Sequence, residues 1–158
     1  MKDLFLYNSL HGRSEQFSKI KSDEVLMYNC GPTVYDVQHI GNLSAFVFAD
    51  TIRKTLEYDG YYVKQVINIT DIGHLSGDNE GDPNIGDDKM MRGLLQNGLP
   101  VSLEGLKMLA EKYTSIFLED LQKLNVPVEK ILFPKASEYI PEQINMILQL
   151  EKKVIFIK

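Results

Sequence analysis

Residues 28–42, "YNCGPTVYDVQHIGN", decide how this sequence is interpreted. The stretch contains Cys30, the only cysteine of the 158-residue chain, and ends in a His-Ile-Gly-Asn tetrapeptide. It overlaps residues 23–30, which are compatible with a β-strand, and the Gly-Pro pair after Cys30 continues neither a strand ladder nor a helix easily. We therefore predict a strand over about 23–30, followed by a loop.

The next segment has the pattern of a βαβ unit. Apolar residues recur at helical spacing over about 41–58, and residues 61–70 are rich in β-branched and aromatic side chains before a polar end at 68–71. The helical positions are Ala45, Phe48, Ala49, Ile52 and Leu56. Because the carboxyl ends of parallel strands lie at one edge of a sheet, we expect Cys30 and residues 68–71 to meet there.

Beyond the second strand, the sequence predicts a loop and then helices. Residues at about 73–88 are rich in Gly, Asp and Asn, which favours a flexible insertion; their carboxylates do not fit the spacing of a calcium loop, so we assign no metal. Ser102 is the predicted N-cap of an amphipathic helix that packs on the core, and Pro141 opens a further helix. We thus expect a helical segment over about 101–153, and the last five residues look like the start of a strand.

Composition predicts one soluble, cytoplasmic domain. The chain is 44% hydrophobic, yet no apolar run approaches about 18 residues and no signal peptide is evident, so we expect no membrane segment. A single cysteine cannot form an internal disulfide, which favours a reducing compartment. The formal net charge of −5 argues against a general nucleic-acid binder, so we expect no DNA partner and only a local RNA contact.

The His-Ile-Gly-Asn tetrapeptide lies where a loop enters the predicted helix. Free backbone N–H groups and the helix dipole favour an anion at such a junction. His39 and Asn42 can donate hydrogen bonds to phosphate, and Gly41 permits a close approach of a nucleotide. Alone, the tetrapeptide is weak evidence, because a histidine near a strand end is more often structural.

Together, "CGPTVYDVQHIGN" and the "NITD" found about 26 residues later resemble the amino-terminal signature of cysteinyl-tRNA synthetases, class I enzymes whose HIGH motif is often HIGN. The resemblance runs over nearly the whole chain. It implies an α/β fold, in which residues 1–158 form the amino-terminal half of a Rossmann-like catalytic domain, with a parallel sheet flanked by helices. It also implies a cysteine–tRNA ligase, which activates cysteine with ATP and magnesium and transfers it to tRNA(Cys).

The resemblance assigns roles to individual residues. His39 and Asn42 match the first and last positions of the HIGH motif, which implies a catalytic role for both and, with Gly41, ATP binding. Cys30 matches the family's first zinc ligand, and a thiolate is a ligand that zinc takes readily; an inert buried thiol is the alternative. The cysteine-binding positions that the resemblance implies are Gly31, Thr33 and Thr70, and strand-end capping is a compatible role for Thr70.

The sequence departs from the family in three ways. Ser44 and Ala45 stand where an arginine-containing pair is usual, and the common "NITDIDDK" is lengthened. A zinc site needs about four ligands, but the histidines number three and the cysteine is single. The family takes its other ligands, a lysine loop and an anticodon-binding domain from later in the chain. We therefore expect the missing carboxy-terminal part to be a required partner and this chain alone to activate cysteine poorly or not at all.

Two alternatives differ in function. A related ligase joins cysteine to an amino-sugar on the same fold, but "PTVYDVQHIGN" favours the synthetase. A stand-alone nucleotide-binding or regulatory remnant without catalytic activity is the second. In either case we expect the uncovered side of the sheet to be apolar and to promote aggregation or partner binding.

Overall fold

The structure is a computed structural model that describes residues 3–20, 24–72 and 89–153. Within these ranges, a three-stranded parallel sheet is flanked by helices, and a two-stranded antiparallel hairpin lies beside it. No helix in the described ranges is both long enough and apolar enough to span a membrane. The elements are β1 (Phe5–Asn8), β2 (Arg13–Gln16), β3 (Val25–Asn29), α1 (Ile40–Tyr58), β4 (Val63–Ile67), α2 (Lys89–Gln96), α3 (Leu103–Lys123), β5 (Ile131–Leu132) and α4 (Ile140–Lys152).

The predicted βαβ unit is confirmed. β3 and β4 pair in parallel, with Val25 opposite Val63 and Asn29 opposite Ile67, and α1 connects them. The sheet order is β3-β4-β5, so β4 is the central strand. β4 is shorter than predicted, because the chain after Ile67 pairs only through two isolated bridges, Ile69 with Lys135 and Thr70 with Thr33.

The buried face of α1 differs from the apolar positions that predicted the helix. Ala45 and Phe48 are exposed, whereas Asp50 and Arg53 are buried. Arg53 donates to Asp50 at 2.5 Å, and its Nη1 lies 2.7 Å from Glu57 Oε1, an ion-pair distance. Burial alone would lower the pKa of Arg53, but the carboxylates of Asp50 and Glu57 outweigh it and raise that pKa above its ordinary value. A search for apolar spacing alone misses a buried stripe that includes an ion pair.

Among the described elements, α3 supplies the largest share of the core on one side of the sheet. Ser102 is its N-cap, as predicted, since its hydroxyl accepts from the Gly105 N–H at 3.1 Å. Phe117 is 1% exposed and packs edge-to-face on Phe46 with 5.0 Å between ring centroids. The two ends of the predicted apolar stripe, Leu103 in the first turn and Leu124 at the C-cap, are exposed because they lie beyond the core.

The segment predicted as helical over about 101–153 is two helices separated by a strand. The short strand β5 and the 3-10 turns Val128–Lys130 and Ala136–Tyr139 lie between α3 and α4. α4 begins at Ile140 with Pro141 in its first turn, which confirms the predicted helix start. The predicted insertion at 73–88 and the predicted final strand at 154–158 lie outside the described residues.

Candidate functional site

A cleft of about 460 Å³ lies between the loop after β3 and the first turn of α1. Four of the predicted site residues line it, and Cys30 and Gly41 are chain neighbours of lining residues. The lining residues are Gly31, Pro32, Thr33, Tyr35, Asp36, Val37, Gln38, His39 and Asn42. The carboxyl end of β3 therefore meets a helix N-terminus, as expected for a ligand site in a parallel α/β sheet.

His39 is the N-cap of α1. Its Nδ1 accepts hydrogen bonds from the backbone N–H groups of Gly41 at 3.0 Å and Asn42 at 3.3 Å. In a neutral ring this places the proton on Nε2, which remains available as a donor. The first turn of α1 carries no acidic residue, so no carboxylate of that turn offsets the positive end of the helix dipole.

Gly41 is needed for the histidine cap itself. A Cβ at this position would lie 2.9 Å from His39 Cε1 and 3.0 Å from Nδ1, closer than ordinary side-chain contacts. Ser44, which stands in the place of the family's arginine-containing pair, donates its hydroxyl to the Gly41 carbonyl at 2.8 Å. The Ser44 hydroxyl thus bonds within its own helix, and no charged side chain replaces the arginine at that position.

The loop after β3 packs against the chain that leaves β4. The Gly31 N–H donates to Asn68 Oδ1 at 2.8 Å, and a side chain at Gly31 would overlap the backbone carbonyl of Asn68. Thr33 forms a parallel bridge with Thr70, supported by a 3.0 Å bond from the Thr70 N–H to the Pro32 carbonyl. This juxtaposition confirms the expectation that the two polar strand ends meet in space.

Cys30 has an exposed thiol beside this junction. Its Sγ lies 4.0 Å from the Gly31 carbonyl, at the limit of a weak S–H hydrogen bond. Among the residues that the structure describes, no group of three or more His, Cys, Asp or Glu side chains could hold a metal ion. His11 lies on the hairpin, 3.0 Å from Glu15, and His74 falls outside the described ranges. The described residues therefore supply one thiol and do not by themselves fit a zinc site.

Sequence reasoning missed the part that strand-end side chains play in holding the site. Asp71 accepts from the Ser137 N–H at 2.9 Å and from its hydroxyl at 2.5 Å, which ties the end of β4 to the turn before α4. Asn68 bonds to residues of both strand ends. Both residues belong to the "NITD" stretch, so the motif indicated where in the chain the site lies but did not predict these contacts.

Known proteins identify the family. The family model described as "tRNA synthetases class I (C) catalytic domain" matches residues 16–156. The chain is 40% identical over 149 residues to cysteine–tRNA ligase 1 of Burkholderia lata, covering 94% of this chain and 30% of that protein. It is 43% identical over 148 residues to cysteine–tRNA ligase of Treponema denticola, covering 94% of this chain and 28% of that protein. The chain thus spans about 30% of the length of the curated relatives it matches, and it belongs to the family of class I (C) tRNA synthetase catalytic domains.

Proposed function

We propose that this chain forms the amino-terminal part of the catalytic domain of a cysteine–tRNA ligase that works in the cytoplasm on cysteine, ATP and tRNA(Cys). The observation that carries the proposal is the junction of a histidine-capped helix N-terminus with two strand ends, beside the single thiol. The relatives' printed names and the match over 94% of the chain support it.

The N-terminus of α1 is the proposed site for the phosphates of ATP, bound with magnesium. His39 would donate from Nε2, because its Nδ1 is already held by backbone N–H groups. Asn42 would donate from its side-chain amide. The backbone N–H groups of Gly41 and Asn42 already donate to His39 Nδ1, so the two side chains and the helix dipole are the groups we assign to the phosphates. When pyrophosphate leaves, these groups would stabilise the negative charge that develops on the phosphates.

The strand-end side of the cleft is the proposed site for the amino acid. Gly31 and Thr33 line the cleft on this side, and Thr70, which pairs with Thr33, lies beside it; the two threonines offer hydroxyls on paired segments. Hydroxyls and backbone groups are suited to the ammonium and carboxylate of a free amino acid. Cys30 is next to this pocket, so its thiol is the group we assign to recognition of the substrate side chain.

Zinc belongs to the proposal only for a longer protein. Cys30 would provide one ligand, and about three further ligands would have to come from outside the described residues. Such a site would contribute direct coordination of the substrate's sulfur, which serine lacks. We assign no chemical step to zinc in the chain described here.

A chimera tests the proposal. Residues 1–158 would replace the corresponding amino-terminal residues of the Treponema denticola ligase, which is 43% identical over the matched region. We expect cysteine-dependent ATP–pyrophosphate exchange by the chimera and by its parent, but little or none by the 158-residue chain alone.

Two controls separate the outcomes. His39→Ala in the chimera should reduce exchange by about 10²-fold or more if the ring stabilises the transferring phosphates. A folded chimera without exchange, beside an active parent, would instead favour the alternative of a nucleotide-binding remnant without catalytic activity. Strong exchange by the 158-residue chain alone would contradict the requirement for a carboxy-terminal part.

A further inference from the structure

The side-chain amide of Asn68 connects both strand ends at the candidate site. Its Oδ1 accepts from the Gly31 N–H at 2.8 Å and from the Tyr28 hydroxyl at 2.9 Å. Its Nδ2 donates to Thr70 Oγ1 at 3.3 Å. The Asn68 side chain therefore contacts Tyr28 near the end of β3, Gly31 in the loop after β3, and Thr70, which pairs with that loop.

The orientation of this amide follows from its partners. A backbone N–H can only donate, so the oxygen of Asn68 must face Gly31 and its NH₂ group must face Thr70. Because Thr70 Oγ1 accepts that bond, its own hydroxyl hydrogen remains free to donate elsewhere. The amide thus sets the direction of the Gly31 N–H and occupies one lone pair of the Thr70 hydroxyl.

Backbone pairing does not duplicate this arrangement. The Thr70 N–H donates to Pro32 at 3.0 Å and the Val34 N–H donates to Thr70 at 3.2 Å, so the segment after Gly31 is held by the backbone. The peptide that joins Cys30 to Gly31 is instead held through the Asn68 oxygen. Removal of that oxygen leaves the N–H of a part-buried peptide without this acceptor, and the peptide can rotate.

We infer that Asn68 is a positioning residue for the amino-acid site: it fixes the Cys30–Gly31 peptide, and thereby the direction of the thiol, while it orients the Thr70 hydroxyl. This inference rests on the proposed function for the nature of the ligand, L-cysteine. The geometric part is independent of that function, because the three hydrogen bonds belong to the chain itself.

Amide hydrogen exchange at Gly31 tests the geometric part in the 158-residue chain. Asn68→Ala should raise the exchange rate of the Gly31 N–H at least tenfold relative to the Ile69 N–H, whose acceptor is the Pro134 carbonyl. Asn68→Asp keeps an acceptor at the same place, so it should keep Gly31 within about threefold of the wild type.

Asn97→Ala is the matched control. Asn97 also forms several side-chain bonds, to Gly93, Lys112 and Tyr113, but it neither lines the cleft nor bonds to the strand ends. It should leave the Gly31 to Ile69 ratio unchanged. An equal rise of that ratio in Asn97→Ala, no rise in Asn68→Ala, or fast Gly31 exchange in Asn68→Asp would each overturn the inference; the last comparison holds even if Asn68→Ala fails to fold.

The chimera connects the geometry to the ligand. There, Asn68→Ala should raise KM for cysteine at least tenfold and change KM for ATP less than twofold. Asn68→Asp keeps the acceptor for the Gly31 N–H but loses the donor to Thr70, so it should restore KM for cysteine only in part. Equal rises in both KM values would contradict a role specific to the amino-acid site. An inactive wild-type chimera would count against the proposed function alone, because Gly31 exchange still decides whether Asn68 positions the loop.

Discussion

The two faces of the parallel sheet differ sharply. On the face covered by α1 and α3, Gln65 is 1% exposed and its β5 neighbour Ile131 is 6% exposed. The next set of paired positions points to the other face and consists of Tyr28, Val66 and Leu132. Tyr28 is 67% exposed and Leu132 is 53% exposed. That second set borders an open groove of about 620 Å³, bounded by the turn before α4. The sheet is therefore packed on one face only within the described residues.

This difference explains how the site is built. Parallel sheets normally have both faces covered by other elements. α4 has several apolar side chains, yet none of its residues is buried within the described part of the chain. The candidate cleft lies at the carboxyl ends of the strands, so most of its strand-end contacts form without the second face; the bond from the Tyr28 hydroxyl to Asn68 is the exception. The packed face and the strand-end hydrogen bonds should consequently determine the stability of this chain, and the open face should not.

The largest expected effect compares the two faces directly. Phe117→Ala removes a ring that is 1% exposed and should lower the free energy of unfolding by about 3–5 kcal/mol. Leu132→Ser on the open face should change it by less than about 1 kcal/mol, because half of that side chain is already in water. Urea denaturation of both variants measures the difference, and similar losses would show that the open face is covered in solution.

The ion pair on the packed face should come next. Asp50→Ala leaves Arg53, which is 1% exposed, with only the Glu57 carboxylate nearby, and should cost about 3 kcal/mol. The pair of partly buried Asp120 with exposed Lys123 is the matched control, and Asp120→Ala should cost less than about 1 kcal/mol. If both substitutions cost the same in denaturant unfolding, Arg53 is not desolvated as described.

Gly31→Ala tests the strand-end junction. A methyl group there would overlap the Asn68 carbonyl, so we expect a loss of about 2–3 kcal/mol and a displaced loop. Gly98→Ala is the control, since Gly98 has φ +63° with open space around it, and strain alone should cost about 1–2 kcal/mol. Thermal unfolding ranks the two variants, and the reverse ranking would contradict the close packing of Gly31.

The smallest effect concerns the hairpin, away from the sheet. Arg13, followed by His11 and Asn8, lowers the pKa of the Glu15 carboxyl below its ordinary value through hydrogen bonds. A lowered pKa means that this contribution to stability is full above the ordinary pKa of about 4.3 and is lost as pH falls through the lower, folded value. An NMR titration of Glu15 should show the lowered pKa, and Arg13→Gln should return it toward normal; an unchanged pKa in that variant would contradict the assignment.

Local signals predicted much of the fold. The βαβ unit follows from helical periodicity between two β-rich runs, and the starts of α3 and α4 follow from Ser102 and Pro141. Each of these features depends on residues close together in sequence. The HIGN tetrapeptide likewise predicted a loop that enters a helix, which the structure has at His39.

The features that were missed depend on distant contacts. β5 has only two residues and exists because β4 offers it a free edge. The buried stripe of α1 is the exception, because Arg53 and Asp50 are only three residues apart on one helix, and their charge, not their distance, hides the stripe from a search for apolar spacing. The contacts of Asn68 with Tyr28 and Gly31 join positions about 40 residues apart. No sequence period contains information of that kind.

The most direct test of the account is the preference of the chimera for cysteine over serine. Cys30→Ser should lower the ratio of kcat/KM for cysteine to that for serine by at least about 100-fold, and the zinc content of the protein should fall with it. Cys30 is the only cysteine of this chain, so no other thiol within it can take over. An unchanged ratio together with unchanged zinc content would contradict the role proposed for Cys30 and, with it, the interpretation of the strand-end cleft as a cysteine site.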